Sequence, residues 1–354
     1  MDLPKHGSNP KYLYQKMNLV MPKEWIDFSV NLNPWGPPIK IFAQWDQWKN
    51  EIIDYPDLLG QELKLKISKK EKLNLDQILL GNGAAELIQL LAVHFREQKI
   101  GIFQPTFSEY ERMTSAYGAE ISYLSLNYLS KTSYIEEVAQ EQDAIFICQP
   151  NNPTGEIVSQ GSLDKLLKEC EKNNCYLIID EAFYDFSLAS HSMVSSIKSS
   201  QYLVILRSAT KMYSIAGIRL GYLFASAELV DSLRAYQSYW SVNALALKMG
   251  EILIEEEEFV RETQLKIAKI RNHFFPLLEE LGFLLSDSQV NFFLLRDPQL
   301  KRQKELMVFL LKKGIVPRHT ENYPGLDGNW LRFAIQPLAE MNQLLEALEE
   351  WKRN

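Results

Sequence analysis

Short apolar runs recur through the middle of the chain, at 77–80, 100–103, 120–126, 144–148, 176–180, 202–206 and 219–225. Most are unbroken rather than alternating, the pattern of strands covered on both faces. Amphipathic stretches separate them. After Gly83, the residues Leu87, Leu90, Leu91, His94 and Phe95 fall on one face of a helix. A second helix is expected over 162–174, opened by Ser162 as its N-cap. Strands alternating with helices predict an α/β unit over 45–240, with a mostly parallel seven-stranded sheet and helices on both faces.

The pattern changes after residue 240. A long helical region is expected over 246–281, and its acidic run at 255–258 reads as a solvated face. Strand-like 291–295, helix-like 300–314, strand-like 330–335 and a last helix at 338–352 complete a smaller α+β unit over 241–354. No low-complexity tract separates the two units, so they are expected to pack closely.

Composition narrows the choice of function. With 46% apolar and 23% charged residues, the chain is an ordinary folded protein. Its 38 Lys and Arg against 45 Asp and Glu, with no basic block, speak against nucleic acid as a partner. Cys148, Cys170 and Cys175 are too few and too odd for a disulfide framework. No apolar run approaches the roughly 20 residues of a membrane span, and the first residues lack the apolar stretch of a signal peptide. A cytoplasmic protein with no membrane partner is expected.

Open α/β sheets bind ligands beyond the carboxyl ends of their strands, so the residues after each strand carry the chemistry. After the first run comes Gly81-Asn82-Gly83-Ala84-Ala85-Glu86, either a tight turn or a helix N-terminus that receives an anion. Phe107 follows the second run, as a core aromatic or a stacking platform. Gln149-Pro150-Asn151-Asn152-Pro153-Thr154-Gly155 is a stiff loop that aims an amide outward. Asp180 ends an apolar strand and needs a cationic partner. Ser208, Thr210, Lys211 and Arg219 crowd into the loop after the 202–206 run. Together these groups suit a ligand with a phosphate, a flat ring, a phenolic oxygen, a ring nitrogen and an aldehyde, which describes pyridoxal 5′-phosphate.

In their order along the chain, GNGAAE, PNNPTG, DEAF and SATKMYSIAGIRLGY resemble the fold-type-I pyridoxal-phosphate enzymes, whose fold is aspartate aminotransferase-like, and more narrowly their histidinol-phosphate aminotransferase branch. The resemblance implies that Lys211 forms the Schiff base, Asp180 pairs with the ring nitrogen, Asn152 bonds the phenolic oxygen and Phe107 stacks on the ring. It implies that Ala84, Ala85, Ser208, Thr210 and Arg219 hold the phosphate. Tyr55 resembles the tyrosine that reaches the phosphate of a neighbouring subunit, implying a homodimer. Residues 1–44 would then pack against the smaller unit and the active site.

Within that branch, His6-Gly7-Ser8-Asn9, the stretch 27–38, Trp240-Ser241-Val242-Asn243 and Asn322-Tyr323-Pro324-Gly325 resemble the L-threonine-O-3-phosphate decarboxylases of cobalamin biosynthesis. Ser8 departs from the glycine usual in that pattern. DEAF in place of DEAY points the same way, because Phe183 has no hydroxyl to offer the ring oxygen. A phosphorylated amino acid needs cations at both ends. By resemblance, Arg332 takes its carboxylate, and Arg318, His6 and Asn31 take its phosphate. The implied reaction is decarboxylation of L-threonine O-3-phosphate to (R)-1-aminopropan-2-yl phosphate. The alternative is a histidinol-phosphate-type aminotransferase that passes the amino group to 2-oxoglutarate. No His, Cys or carboxylate spacing suggests a metal site.

Overall fold

A computed structural model describes residues 3, 4, 7 and 9–353. The short strand β1 (Ile26–Asp27) comes first, followed by seven strands that form one sheet. These are β2 (Ile78–Gly81), β3 (Lys99–Gln104), β4 (Glu120–Ser125), β5 (Ala144–Cys148), β6 (Tyr176–Asp180), β7 (Leu203–Ser208) and β8 (Gly221–Phe224). Their spatial order is β2-β8-β7-β6-β5-β3-β4. Pairing is parallel except at β7–β8 and β8–β2. The exception has a simple cause. Between β7 and β8 the chain forms only the one-turn helix Ala209–Met212, too little for a crossover, so β8 returns antiparallel beside β7.

Strands β5, β6 and β7 are buried almost throughout. Side chains alternate between the two sides: Ile145 and Ile147 join one core, Ala144, Phe146 and Cys148 the other. Helices cover each side, among them Ala84–His94 with its apolar face of Leu87, Leu90 and Leu91. The strand expected at 219–225 is trimmed to 221–224, since Arg219 takes a left-handed φ of +61°. The helix expected from Ser162 begins one turn earlier, at Gln160, where the hydroxyl of Ser159 accepts the N–H of Ser162.

A second sheet holds β9 (Leu284–Leu285) and β10 (Phe292–Arg296), and a further strand, β11 (Ile315–Val316), pairs in parallel with β1. β12 (Arg318–His319) and β13 (Leu331–Ala334) complete the second sheet, in the order β12-β13-β10-β9. The helical region expected over 246–281 is two helices, Ala244–Leu253 and Glu257–Glu280, broken within the acidic run. The N-terminal residues are tied to helices beside both sheets. Tyr14 donates to the carbonyl of Leu311 at 2.7 Å, and the Asn33 N–H donates to the carbonyl of Lys211 at 3.0 Å. Among the described residues, no helix is long and apolar enough to cross a membrane.

Candidate active site

The carboxyl ends of β2, β3, β5, β6 and β7 open onto one cavity of about 250 Å³, closed on its other side by β12 and β13. After β2 the chain passes through Gly83 at φ +76° and ψ 164°, a conformation essentially restricted to glycine, and enters the helix Ala84–His94. Glu86 pins this turn by accepting the N–H of Asn82 at 2.7 Å. Ala84 and Ala85 line the cavity at the helix start, where backbone N–H groups lack helical partners. A Cβ on Gly83 would lie 2.4 Å from Nη2 of Arg219. The guanidinium therefore rests against the helix N-terminus, with the buried hydroxyl residues Ser208 and Thr210 on the same cavity. This corner suits a phosphate dianion.

Lys211 stands in the one-turn helix after β7, and its side-chain nitrogen makes no hydrogen bond or ion pair among the described residues. Burial, helped by the charges of Arg332 and Arg219, pulls its pKa down to about 8. Asp180, at the end of β6, is 4% exposed. Its Oδ2 accepts from the hydroxyl of Tyr110 at 2.6 Å and its Oδ1 from the N–H of Ala182 at 2.9 Å. Burial raises its pKa, while those two donors and Lys211 oppose the rise. Phe107 lines the cavity, edge-on to Tyr110.

On the facing wall Arg318 and Arg332 are directly opposed across β12 and β13, and both are buried. Arg332 donates to Oδ1 of Asn152 at 2.5 Å and to the carbonyl of Ser29 at 2.9 Å. This leaves the Asn152 amide nitrogen as a donor with no partner among the described residues. Arg318 donates to Asn322 at 2.7 Å. Burial lowers the pKa of both arginines, that of Arg318 to about 10. Two buried cations side by side on one wall of the cavity suit an anionic ligand. Asn31 is buried on the same wall, and its Oδ1 has no partner among the described residues. Behind Arg318, His319 donates from Nε2 to the carbonyl of Pro4 at 2.8 Å, and burial drops its pKa to about 3.

Twelve of the residues expected from sequence thus share one cavity: Asn31, Ala84, Ala85, Phe107, Asn152, Asp180, Ser208, Thr210, Lys211, Arg219, Arg318 and Arg332. Tyr55 does not join them. It is 79% exposed and packs against Trp240, its ring tilted by 30° at 4.5 Å between ring centres. His6 lies outside the described residues. Sequence reasoning passed over Tyr110 and Tyr323 as site residues, though both line the cavity. Tyr110 had a usable signal, since it follows Phe107 by three residues where the loop after β3 enters the next helix.

This fold and this site define a pyridoxal-phosphate enzyme, and the chain belongs to the Aminotransferase class I and II family, which matches residues 23–348. It is 32% identical over 360 residues to the threonine-phosphate decarboxylase of Salmonella typhimurium, covering 97% of this chain and 95% of that one. The adenosylcobalamin biosynthesis bifunctional protein CobDQ of Leptospira interrogans is 28% identical over 98% of this chain, which spans 41% of that longer protein. The crystal structure of the histidinol-phosphate aminotransferase from Clostridium acetobutylicum superposes with a TM-score of 0.87 at 32% identity, covering 92% of this chain and 99% of that one.

The residues present fit pyridoxal 5′-phosphate. The Gly83–Arg219 cradle would hold the phosphate, the unpaired amide nitrogen of Asn152 the phenolic oxygen, Asp180 the ring nitrogen, and Lys211 the aldehyde carbon.

Proposed function

We propose that this protein decarboxylates L-threonine O-3-phosphate to (R)-1-aminopropan-2-yl phosphate, a step of cobalamin biosynthesis. The observation that carries the reading is the buried Arg318–Arg332 pair facing the same cavity as Lys211. A substrate with a carboxylate at one end and a phosphate at the other offers an anion to each arginine. Histidinol phosphate carries only one anionic group.

The bound cofactor supplies an electron sink for the pair left at Cα when its bond to the carboxylate breaks. The protein's residues decide which bond that is. Arg332 would grip the carboxylate and Arg318 with Asn31 and His6 the phosphate, so that the Cα–carboxylate bond is the one presented for cleavage. Asp180, as a carboxylate, keeps a proton on the ring nitrogen. Carbon dioxide leaves, and Lys211 returns a proton to Cα. Phe183, buried beside Phe292, offers the ring oxygen no hydrogen bond.

The reading includes a large cofactor-binding unit (45–240), a small unit (241–354) and an N-terminal segment (1–44) that packs with the small unit and the active site. It places the enzyme in the cytoplasm as a homodimer in which Tyr55 serves the neighbouring subunit's phosphate site. The exposure of Tyr55 on its own subunit supports that role. A histidinol-phosphate-type aminotransferase is the second reading, favoured by the likeness to the Clostridium acetobutylicum structure. Incubation with each substrate separates the two. Phosphothreonine should release carbon dioxide while plain threonine reacts poorly. Efficient amino transfer from histidinol phosphate to 2-oxoglutarate, with no carbon dioxide from phosphothreonine, would refute the proposal.

A further inference from the structure

We propose that Tyr110 is a positioning residue that keeps the Asp180 carboxylate ionised and fixed in place to receive the cofactor's ring nitrogen. Asp180 is enclosed at the end of β6, 4% exposed, where little water reaches its charge. A buried carboxylate in that position tends to take up a proton, and a protonated Asp180 could no longer hold a ring proton by charge. Two donors oppose this. One is the backbone N–H of Ala182, which the turn after β6 provides whatever the side chains. The other is the hydroxyl of Tyr110, at 2.6 Å, which this sequence supplies from the helix Glu109–Ala116.

The hydroxyl is held rigidly. The Tyr110 ring is fully buried, stacked on Phe146 at 5.2 Å and 19°, and set edge-on to Phe107 at 5.7 Å and 83°. Between those rings it has no room to swing away from Asp180. The other titratable groups near Asp180 are Cys148, its neighbour on β5, and Lys211. Burial and the nearby carboxylate keep both the phenol and the Cys148 thiol protonated through the working range. Tyr110 is therefore a donor at every relevant pH. One short segment, 107–110, would then carry both the aromatic ring that stacks on the cofactor and the hydroxyl that sets its acid partner.

This inference rests on the assigned cofactor but holds for decarboxylation and transamination alike, so its failure is distinguishable from failure of the proposed reaction. The test uses Tyr110→Phe, which keeps the ring packing and removes only the hydroxyl, with Asp180→Asn as the reference. Infrared difference spectra of the cofactor-free proteins, each against the Asp180→Asn variant, read the protonated and ionised forms of this one carboxyl across pH. Losing a hydrogen bond to a charged group should make Asp180 tenfold to a hundredfold easier to protonate. Its titration midpoint should rise by one to two pH units. Cofactor affinity should fall in Tyr110→Phe, and fall further as the pH drops. In an Asp180→Asn background, removing the hydroxyl should change affinity less than twofold. An unmoved midpoint, or an equal loss of affinity in that background, would overturn the proposal.

Discussion

Gly83→Ala tests the phosphate cradle at its tightest point. The backbone there holds φ +76° and ψ 164°, and forcing a residue with a Cβ into that region costs about 1–3 kcal/mol. The added Cβ would also sit 2.4 Å from Nη2 and 2.9 Å from Cζ of Arg219. A guanidinium at the end of a flexible side chain can move aside, so the clash itself is cheap. The displacement is not, because it carries the cation off the helix N-terminus. Losing one charge-assisted contact to a phosphate costs about 1.5–3 kcal/mol, which corresponds to roughly 10- to 150-fold in affinity. The cofactor-free variant should therefore melt lower by the strain alone, while its affinity for pyridoxal phosphate, titrated by visible absorbance, falls by the larger factor. Arg219→Ala should show a similar loss, and the double variant little more than either, since both act on one contact. A folded Gly83→Ala protein that binds the cofactor within twofold of wild type would refute the reasoning.

Lys211→Ala should abolish both the yellow absorbance of the loaded enzyme and borohydride trapping of the cofactor. In the cofactor-free wild type, covalent attachment needs the neutral amine, so its rate should rise with a midpoint near pH 8, where burial holds Lys211, and not near 10.5. Because the folded value is the lower one, the charged lysine weakens the fold below pH 8, and that cost should fade from pH 8 to 10.5 in denaturant titrations. Glu181 accepts from Nε of Arg207 at 2.7 Å with both side chains buried. Glu181→Ala leaves that guanidinium only the longer ion pair with Asp185 at 3.8 Å and should lose about 3 kcal/mol of stability by urea unfolding. Arg318→Ala should weaken phosphothreonine binding by about 1.5–3 kcal/mol, seen as a raised Kd in calorimetry with cofactor binding unchanged.

Much of the site was legible because each chemical group follows a strand, and the unbroken apolar runs mark where strands end. Asp180 and Lys211 stand out on that rule alone. The antiparallel return of β8 was hidden because an apolar run carries no direction. The break between Leu253 and Glu257 was masked by acidic residues that look equally natural on a continuous solvated face. Ser159 and Ser162 both suit an N-cap, and composition does not choose between them. Contacts across long stretches of chain were out of reach. Tyr110 meets Asp180 over 70 positions, and Arg332 meets the Ser29 carbonyl over 303. Only folding brings those groups together. The roles of Tyr55, Arg318 and Arg332 came from resemblance, since one arginine on a short strand has no periodic signature.

The most direct test of the reaction is product analysis of the purified, cofactor-loaded enzyme with L-threonine O-3-phosphate as sole substrate. If Arg332 and Arg318 clamp the two ends, the products are carbon dioxide and (R)-1-aminopropan-2-yl phosphate in equal amounts, with the cofactor still in its aldehyde oxidation state. Accumulation of the pyridoxamine form with an equivalent of keto acid, and no carbon dioxide, would contradict decarboxylation and assign this site to amino transfer.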